Sequence, residues 1–407
     1  MHEKWYIFVY FLFLYNSDVD YMENWSFCDM KTEPDMCAKI VLLFVIGTRP
    51  EAIKLAPIIM EAQKYPERYK VFVCNTGQHT DMLDQTCKSI GLEFGIKLEI
   101  EDKSSLSKIA SILLDKLHDI SAQTTPDWIV TQGDTTSAFI GGLVGFYNKI
   151  KVAHIEAGLR SFNNMHPFPE EVHRKLLATF ATSHFVPTMV SKFNLLKENI
   201  NPDTIFVTGN TVIDTIRIIS HNMMEYEKIL FEKYANFLDR NKKIILITSH
   251  RRENHGIGLH NICAAIKKLS ESKPDFQFVF PVHHNHNVQS IVRNSLNDLP
   301  NVFLLDPLDY TETIALIKNS YLILTDSGGL QEEASAFCVP VLVLRETTER
   351  IEGIECGISK IVGTNTENII SSTLEILENN EKYDLMSKQF YPYGDGFAAQ
   401  KILEKLL

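Results

Sequence analysis

The sequence predicts an α/β protein built from two doubly wound, Rossmann-like domains that face each other across a cleft. From Lys39 onward, short apolar runs alternate with amphipathic segments of helical length, the pattern typical of parallel sheets with helical crossovers. Polar clusters follow directly after these runs, where open α/β sheets bind ligands. About ten strands are more than one sheet comfortably holds. We therefore predict domains at 39–208 and 209–390, and a C-terminal helix within 391–407 that could pack back on the first domain.

Composition narrows the classes of function. The chain has 407 residues and a formal net charge of -11, which argues against a nucleic-acid partner or an anionic membrane surface. Its seven cysteines are widely spaced and form no C-x-x-C pair. This usage fits a reduced, cytoplasmic chain better than a disulfide framework or a zinc site.

The first 38 residues differ from the rest. Trp5–Tyr15 is an apolar run, but it is shorter than the roughly 20 residues that span a bilayer, and no small-x-small cleavage site follows it. We expect residues 1–38 to be a non-essential extension, with a signal or membrane anchor as the alternative.

The regular part of the chain begins with a buried parallel strand at Ile40–Ile46. Residues 47–51 lead from it into a helix predicted over Ala52–Lys64, and Pro50 lies where a first helical turn tolerates proline. The remaining predicted strands end at Cys74, Thr131, His154, Val186, Val207, Thr248, Pro281, Leu305, Thr325 and Leu344.

The most informative stretch is 321–334, YLILTDSGGLQEEA. It predicts a strand over Tyr321–Thr325, a turn at 326–329 and a helix that opens at Leu330. Such a helix start directs free N–H groups and the positive end of the helix dipole at one point, which suits a phosphate. Ser327 offers a hydroxyl, and Glu333 could accept a hydrogen bond from a sugar hydroxyl. An ordinary turn without a ligand is the alternative.

Each polar cluster also has a plain structural explanation. Arg49 and Lys54 suit a diphosphate or an ordinary helix start, and Asp134 could serve as an N-cap. Glu170 could begin a solvated helix with Arg174 as its i,i+4 partner. The run HHNHN at 283–287 matches no standard zinc spacing. The sequence contains no Walker A, G-x-G-x-x-G or G-x-S-x-G motif, which disfavours NTPases, nicotinamide enzymes and α/β-hydrolases.

Ten motifs together resemble the bacterial non-hydrolysing UDP-N-acetylglucosamine 2-epimerases, over nearly all of Lys39–Leu407. They are GTRPEAIKLAP (47–57), TGQHTDML (76–83), QGDTTSA (132–138), HIEAGLRS (154–161), PFPEEVHR (167–174), VTGNTVIDT (207–215), TSHRRENHG (248–256), TDSGGLQEEA (325–334), TTERIE (347–352) and PYGDG (392–396). The resemblance implies a GT-B-like fold and a cytoplasmic homodimer that interconverts UDP-N-acetylglucosamine and UDP-N-acetylmannosamine for capsule or surface polysaccharide. It implies elimination of UDP to 2-acetamidoglucal and re-addition, without a metal or other cofactor.

The resemblance also assigns site residues. A catalytic group of four is implied: Asp134, Glu156, Glu170 and His250. UDP would be held by Arg49, Lys54, Arg174, His250, Ser327, Gly328, Gly329, Glu333 and Arg350. Gln78 and His79 would belong to a region where relatives bind a second substrate molecule as activator. Thr313 departs from the pattern, because relatives commonly carry an aromatic residue there, near the uracil.

Three alternative functions remain open at this stage. A hydrolysing 2-epimerase would release N-acetylmannosamine and UDP, although such relatives lack an intact GTRPEAIK stretch. A GT-B glycosyltransferase would share the UDP site without needing the three carboxylates. A catalytically silent sensor would bind a nucleotide sugar without turnover.

Overall fold

A computed structural model describes residues 38–78, 81–249, 251–283 and 285–407, without the side chains of Asp81, Met82 and Arg252. The extension predicted at the N-terminus, 1–38, falls on residues that are outside this part, apart from Ala38. Residues 39–407 form one compact unit.

The N-terminal half contains a parallel sheet of seven strands in the order β3-β2-β1-β4-β5-β6-β7. Its strands are β1 (Ile40–Ile46), β2 (Tyr69–Asn75), β3 (Ile96–Lys97), β4 (Trp128–Gln132), β5 (Lys151–Ile155), β6 (Ser183–Val186) and β7 (Ile205–Val207). Its helices are α1 (Arg49–Gln63), α2 (Asp81–Ile90), α3 (Leu106–Thr124), α4 (Thr136–Tyr147), α5 (Glu170–Phe180) and α6 (Met189–Lys197), with a 3₁₀ turn at Pro202–Thr204. The last five residues of β1 are fully buried, as a strand covered by helices on both faces requires.

The C-terminal half contains a parallel sheet of six strands in the order β10-β9-β8-β11-β12-β13. The strands are β8 (Lys243–Thr248), β9 (Phe276–Pro281), β10 (Val302–Leu305), β11 (Ser320–Thr325), β12 (Val341–Val343) and β13 (Ser359–Ile361). The helices are α7 (Thr211–Ser220), α8 (Met223–Lys233), α9 (Ile257–Ser272), α10 (His286–Leu296), α11 (Tyr310–Lys318), α12 (Gly328–Ser335), α13 (Ile351–Glu355), α14 (Thr366–Glu378), α15 (Asn380–Met386) and α16 (Ala398–Leu403). A 3₁₀ turn at Arg252–Asn254 precedes α9.

The predicted class, two doubly wound parallel-sheet domains, is confirmed. Sequence patterns missed β3 and β13, because strands of two and three residues do not form an apolar run. One helix start was wrong: α12 begins at Gly328 and not at Leu330, since the Ser327 side chain caps the helix from one residue ahead of the glycines. Helix α1 likewise begins at Arg49, where Thr48 and Glu51 form a capping box.

Two segments carry the chain between the halves. Helix α7, which follows β7, packs against α1 of the first half, and its Thr215 Oγ1 donates to the Ile53 carbonyl at 2.6 Å. Helix α16 also packs against α1, and the Tyr69 hydroxyl donates to the Leu403 carbonyl at 3.2 Å. The two sheets therefore share one buried apolar cluster, which includes Phe44 and Leu246.

Among the described residues, no helix is both long and apolar enough to cross a lipid bilayer.

Candidate active site

The carboxyl ends of both sheets border a cavity of about 590 Å³. Loops after β1, β4 and β5 line it from the N-terminal half, and loops after β8, β9 and β11 line it from the C-terminal half. The predicted cleft between two rims is therefore present. Both rims carry both signs of charge, because Arg49, Lys54 and Arg174 line the N-terminal side with acidic residues, and Glu333 lies on the other side with Arg350.

The β11–α12 turn is a candidate anion-binding site at the cleft, which we call the anion site. Ser327 ends the turn and caps α12, accepting a hydrogen bond from Leu330 N at 3.4 Å. Gly328 and Gly329 make the first turn of the helix and both line the cavity. The free N–H groups at this helix start lie beside an open cavity, which suits the binding of a phosphate.

Three cations line the same cavity as this anion site, two from helix α1 and one from the segment before α13. Arg49 begins α1, with its guanidinium carbon 5.9 Å from the centre of the Tyr310 ring. Lys54 lies in the second turn of the same helix, and Arg350 directly precedes α13. All three line the cavity together with Gly328 and Gly329, so positive charge from both halves lies in the same cavity as the start of α12.

Lys54 and Arg350 form a buried ring of charges with Glu156 and Glu332, which we call the ion ring. Lys54 pairs with Glu156 and, at 3.1 Å, with Glu332. Arg350 binds Glu332 Oε1 through Nε at 2.8 Å and approaches Glu156 Oε1 through Nη2 at 3.4 Å. Two members come from each half of the molecule, and their charges sum to zero. The ring thus joins the two halves at the floor of the cleft.

Proton affinities in the ion ring follow from burial and from neighbouring charges. Burial raises the pKa of Glu156 more strongly than Lys54 lowers it. Burial alone would lower the pKa of Lys54, but Glu156 and Glu332 outweigh it and raise that pKa. Burial would likewise raise the pKa of Glu332, but Arg350 and Lys54 lower it overall. Glu156 is therefore the carboxylate of the ring that is more readily protonated.

Glu156 is also held in a rare backbone conformation. Its φ is +59°, in the left-handed region that residues with a Cβ seldom adopt. Gln132, the last residue of β4, donates to Glu156 Oε2 at 2.7 Å. A strained backbone and a second hydrogen-bond donor fix this carboxylate in place, as is typical of functional sites.

Asp134 also lines the cavity, and its carboxylate is paired with Arg174. Arg174 Nη1 also contacts Glu171 Oε2 at 3.3 Å. The Asp134 carbonyl lies 3.1 Å from His173 Nδ1, and the His173 ring stacks on Phe139 with centroids 4.9 Å apart. Helix α5 therefore holds both the side chain and the backbone carbonyl of Asp134, in the loop after β4.

Glu170 opens α5 and lines the same cavity. Its neighbour Glu171 is fully buried and accepts from Ser161 N at 2.9 Å and Phe162 N at 3.1 Å. The adjacent acidic pair is thus divided: Glu171 supports the preceding loop, while Glu170 faces the cleft.

Glu333, in the second turn of α12, is buried beside Arg49 and Tyr310. Burial raises its pKa to about 7, although Arg49 acts in the opposite direction. It lines the cavity next to the two glycines, where a ligand hydroxyl could reach it.

Several predicted residues lie elsewhere or outside the described part of the chain. His250 and His79 are not among the described residues. Gln78 accepts from Ser137 Oγ at 2.7 Å and from Ser137 N at 3.2 Å, so it supports the start of α4. Thr313 lines the cavity, and its hydroxyl donates to the Asp309 carbonyl at 2.6 Å.

Sequence reasoning missed three carboxylates of this site, Glu51, Asp326 and Glu332. Glu51 Oε2 accepts from Gly47 N at 2.8 Å and Thr48 N at 2.6 Å. Its other oxygen accepts from the Thr135 hydroxyl, which ties the loop after β1 to the loop after β4. Burial raises the pKa of Glu51 to about 7 despite these donors.

Asp326 plays the corresponding part in the C-terminal half. Its Oδ2 accepts from Ser249 Oγ and Arg251 N, both at 3.0 Å, and from Asn254 Nδ2 at 2.9 Å. The loop after β8 is therefore anchored to the end of β11. The available signal was position, since acidic residues directly after buried strands seldom face solvent.

Among the described residues, no three histidine, cysteine, aspartate or glutamate side chains are placed to hold a metal ion together. His283 lines the cavity, and His284 is outside the described part.

This architecture defines a class: two parallel-sheet α/β domains of GT-B-like arrangement, with a glycine-rich helix start in the cleft between them. A family model described as UDP-N-acetylglucosamine 2-epimerase matches residues 61–407, and the chain belongs to this family. A UDP-N-acetylglucosamine 2-epimerase of Neisseria meningitidis serogroup A is 44% identical over 368 residues, 90% of this chain and 99% of that protein.

Solved structures agree with this placement. The crystal structure of UDP-GlcNAc 2-epimerase from Neisseria meningitidis bound to UDP-GlcNAc has a TM-score of 0.85 and 42% identity, covering 90% of this chain and 99% of the other. The Methanocaldococcus jannaschii UDP-GlcNAc 2-epimerase in complex with UDP-GlcNAc and UDP has a TM-score of 0.77 and 32% identity, covering 90% and 99%.

Proposed function

We propose that this protein reversibly epimerises UDP-N-acetylglucosamine at C2 to give UDP-N-acetylmannosamine, without net hydrolysis. One observation carries the proposal: an anion site with three cations and a set of buried carboxylates face each other in a single cleft. Relatives crystallised with UDP-GlcNAc, or with UDP-GlcNAc and UDP, share the fold over 90% of this chain. The anion site would hold the diphosphate, which places the sugar over the carboxylates.

In the first half-reaction a carboxylate removes the C2 proton. The C2–H electron pair becomes the C1=C2 double bond, and the anomeric C–O bond breaks on the opposite face. UDP leaves with the electron pair of the C1–O bond, and 2-acetamidoglucal remains. Asp134, Glu156 and Glu170 are the candidate bases, together with His250. Arg49, Lys54, Arg350 and the N–H groups of Gly328 and Gly329 stabilise the charge that develops on the diphosphate.

The second half-reaction reverses these steps on the other face of C2. An acid protonates C2 from the opposite side, and a phosphate oxygen of UDP re-forms the bond to C1. Asp134 and Glu156 belong to separate hydrogen-bonded groups in the cavity, one paired with Arg174 and the other with Lys54. Two separately held carboxylates supply proton transfer on two faces without either side chain having to move far.

The rest of the site would fix the nucleotide. We assign Ser327 to the phosphate and Glu333 to the ribose, and Arg174 to the ligand from the opposite rim, since all three line the cavity. We further infer a cytoplasmic homodimer that supplies an N-acetylmannosamine donor for capsule or surface polysaccharide, since an activated sugar nucleotide serves a glycosyl-transfer pathway.

Proton NMR of the purified protein with UDP-N-acetylglucosamine in deuterium oxide tests the reaction. We expect both sugar nucleotides at equilibrium, each carrying deuterium at C2, with no accumulation of free sugar. Free N-acetylmannosamine and UDP would identify a hydrolysing enzyme instead. Sugar transfer to an added acceptor without exchange at C2 would identify a glycosyltransferase, and binding without turnover would identify a sensor.

A further inference from the structure

Glu332 is a buried carboxylate in the cleft floor that the proposed chemistry does not use. It lies one helical turn after Gly328 on α12, and its side chain is 2% exposed. The i,i+4 spacing places it on the face of the helix that meets Arg350. A carboxylate so deeply buried requires partners for its charge.

Both of its oxygens have a cationic partner, and the partners come from different halves of the protein. Glu332 Oε1 accepts from Arg350 Nε at 2.8 Å, and Oε2 lies 3.1 Å from Lys54 Nζ. Glu156 also pairs with Lys54 and Arg350. The two carboxylates therefore share the same two cations, and each carboxylate contacts both of them.

We propose that Glu332 is a positioning residue that holds Lys54 and Arg350 between the anion site and Glu156. It thereby sets how much positive charge Glu156 experiences when that carboxylate gains or loses its proton. The inference rests on the proposed function, because it assigns Glu156 a proton-transfer role. Glu332 lies behind the two cations and acts through them, without having to touch the sugar.

The charges in the ion ring give this role a direction. With Glu332 ionised, Lys54 and Arg350 are shared, so Glu156 receives only part of their attraction. Glu332 also repels the ionised form of Glu156, and both effects raise the pKa of Glu156. Neutralising Glu332 would make Glu156 a weaker base and would leave the anion site more positive.

Other ionisable groups also face Glu332, and they remain in place in the Glu332 variants. They are Glu333 on α12, Tyr310 on α11, Glu352 on α13 and Tyr393 in the C-terminal segment, while Glu349, before α13, faces Arg350.

The test is the pH profile of kcat/KM for wild type and Glu332→Gln, with UDP affinity measured by calorimetry over the same pH range. One limb of the pH profile reports the titration of Glu156. We expect this limb to move to lower pH by about one unit, because one nearby like charge is removed. The value of kcat should fall while UDP affinity stays equal or increases, since a negative charge next to the anion site is lost. General damage to the fold would weaken UDP binding and lower the rate equally at every pH.

Two further variants keep the test decisive. Glu332→Asp retains the charge, so its limb should remain at the wild-type pH even if the rate falls. Glu352→Gln is the matched control, because Glu352 bonds to Thr188 across the same interface between the halves but is not a member of the ion ring. Its limb should not move.

An unshifted limb in Glu332→Gln, or an equal shift in Glu352→Gln, would overturn the proposal. If Glu332→Gln does not fold, a shifted limb in Glu332→Asp would overturn it in the same way. Absence of UDP-N-acetylmannosamine with the wild-type protein would instead refute the proposed function, and the calorimetric comparison would still report whether Glu332 governs anion binding.

Discussion

A Cβ atom at Gly328 would lie 3.2 Å from Cζ of Arg350. In the structure its first contact is the guanidinium of Arg350, so the glycine makes room for a member of the ion ring.

We therefore expect Gly328→Ala to displace Arg350 and to lower both stability and UDP affinity. Overpacking of this kind typically costs about 1–3 kcal/mol. Gly329→Ala is the control, because the nearest atom to a Cβ there is Ser327 Oγ at 3.9 Å. It should leave the melting temperature unchanged and lower only UDP affinity, by occupying cavity space. Equal melting temperatures for the two variants would contradict this account of Gly328.

Asp134→Asn should slow turnover by about 10²–10⁴, the usual contribution of a general acid or base, with little effect on UDP affinity. The amide retains the size of the side chain but cannot accept a proton. Glu198→Gln provides the control, since it removes a comparable ion pair to Arg160 at 2.6 Å that does not line the cavity. Steady-state kinetics and UDP calorimetry separate the two effects, and near wild-type turnover of Asp134→Asn would exclude it as a catalytic group.

Glu333 makes stability depend on pH. Burial raises its pKa from 4.5 to about 7, so the folded state holds a proton that the unfolded state releases in this range. Its contribution to stability is present below pH 4.5 and is lost as pH rises to 7, by about 1.4 kcal/mol per pH unit. Glu333→Gln, which cannot ionise, should gain stability relative to wild type across this window.

Melting temperatures from pH 4.5 to 7.5 test this expectation. Glu381→Gln serves as the control because Glu381 is exposed at the start of α15. A Glu333→Gln curve parallel to that of wild type would show that Glu333 is ionised throughout.

Thr313→Phe should strengthen UDP binding. Thr313 lines the cavity beside Pro307 and Leu308, where an aromatic ring could stack on a uracil. Aromatic stacking contributes about 0.5–1.5 kcal/mol beyond the burial of area, or roughly two- to tenfold in affinity. Thr313→Val also loses the hydroxyl bond to the Asp309 carbonyl but adds no ring, so it should show no gain. Equal UDP affinities of the two variants would place the base elsewhere.

Much of the fold was predictable because its signals are local. The apolar run at Ile40–Ile46 corresponds residue for residue to β1, and the predicted end of β11 at Thr325 is correct. The strand–turn–helix geometry at β11 and α12 was predictable for the same reason, since strand, glycines and helix start are contiguous. The start of α12 was placed two residues late, because the capping hydroxyl of Ser327 decides where the helix begins.

Most of the predicted site residues line one cavity, but the sequence did not predict how their side chains are paired. Lys54 was assigned to UDP and Glu156 to catalysis, yet they form one buried ion pair across 102 residues of chain. Arg174 was assigned to UDP and is paired with Asp134. Glu332 received no role, because the sequence does not show which of two neighbouring glutamates in a helix contacts the cations. The packing of the helix against its partners decides this.

The sequence by itself determined the alternation of strands and helices, the ends of the strands where polar residues gather, and the glycine-rich start of α12. These features depend on neighbours within a few residues, where periodicity and capping act. Only the tertiary structure decided that Lys54 is shared by Glu156 and Glu332, and that Gly328 makes room for Arg350. Strand order and the docking of the two halves bring these groups together from distant segments, and once they are buried, each charge can be balanced only by whatever partner the fold places beside it.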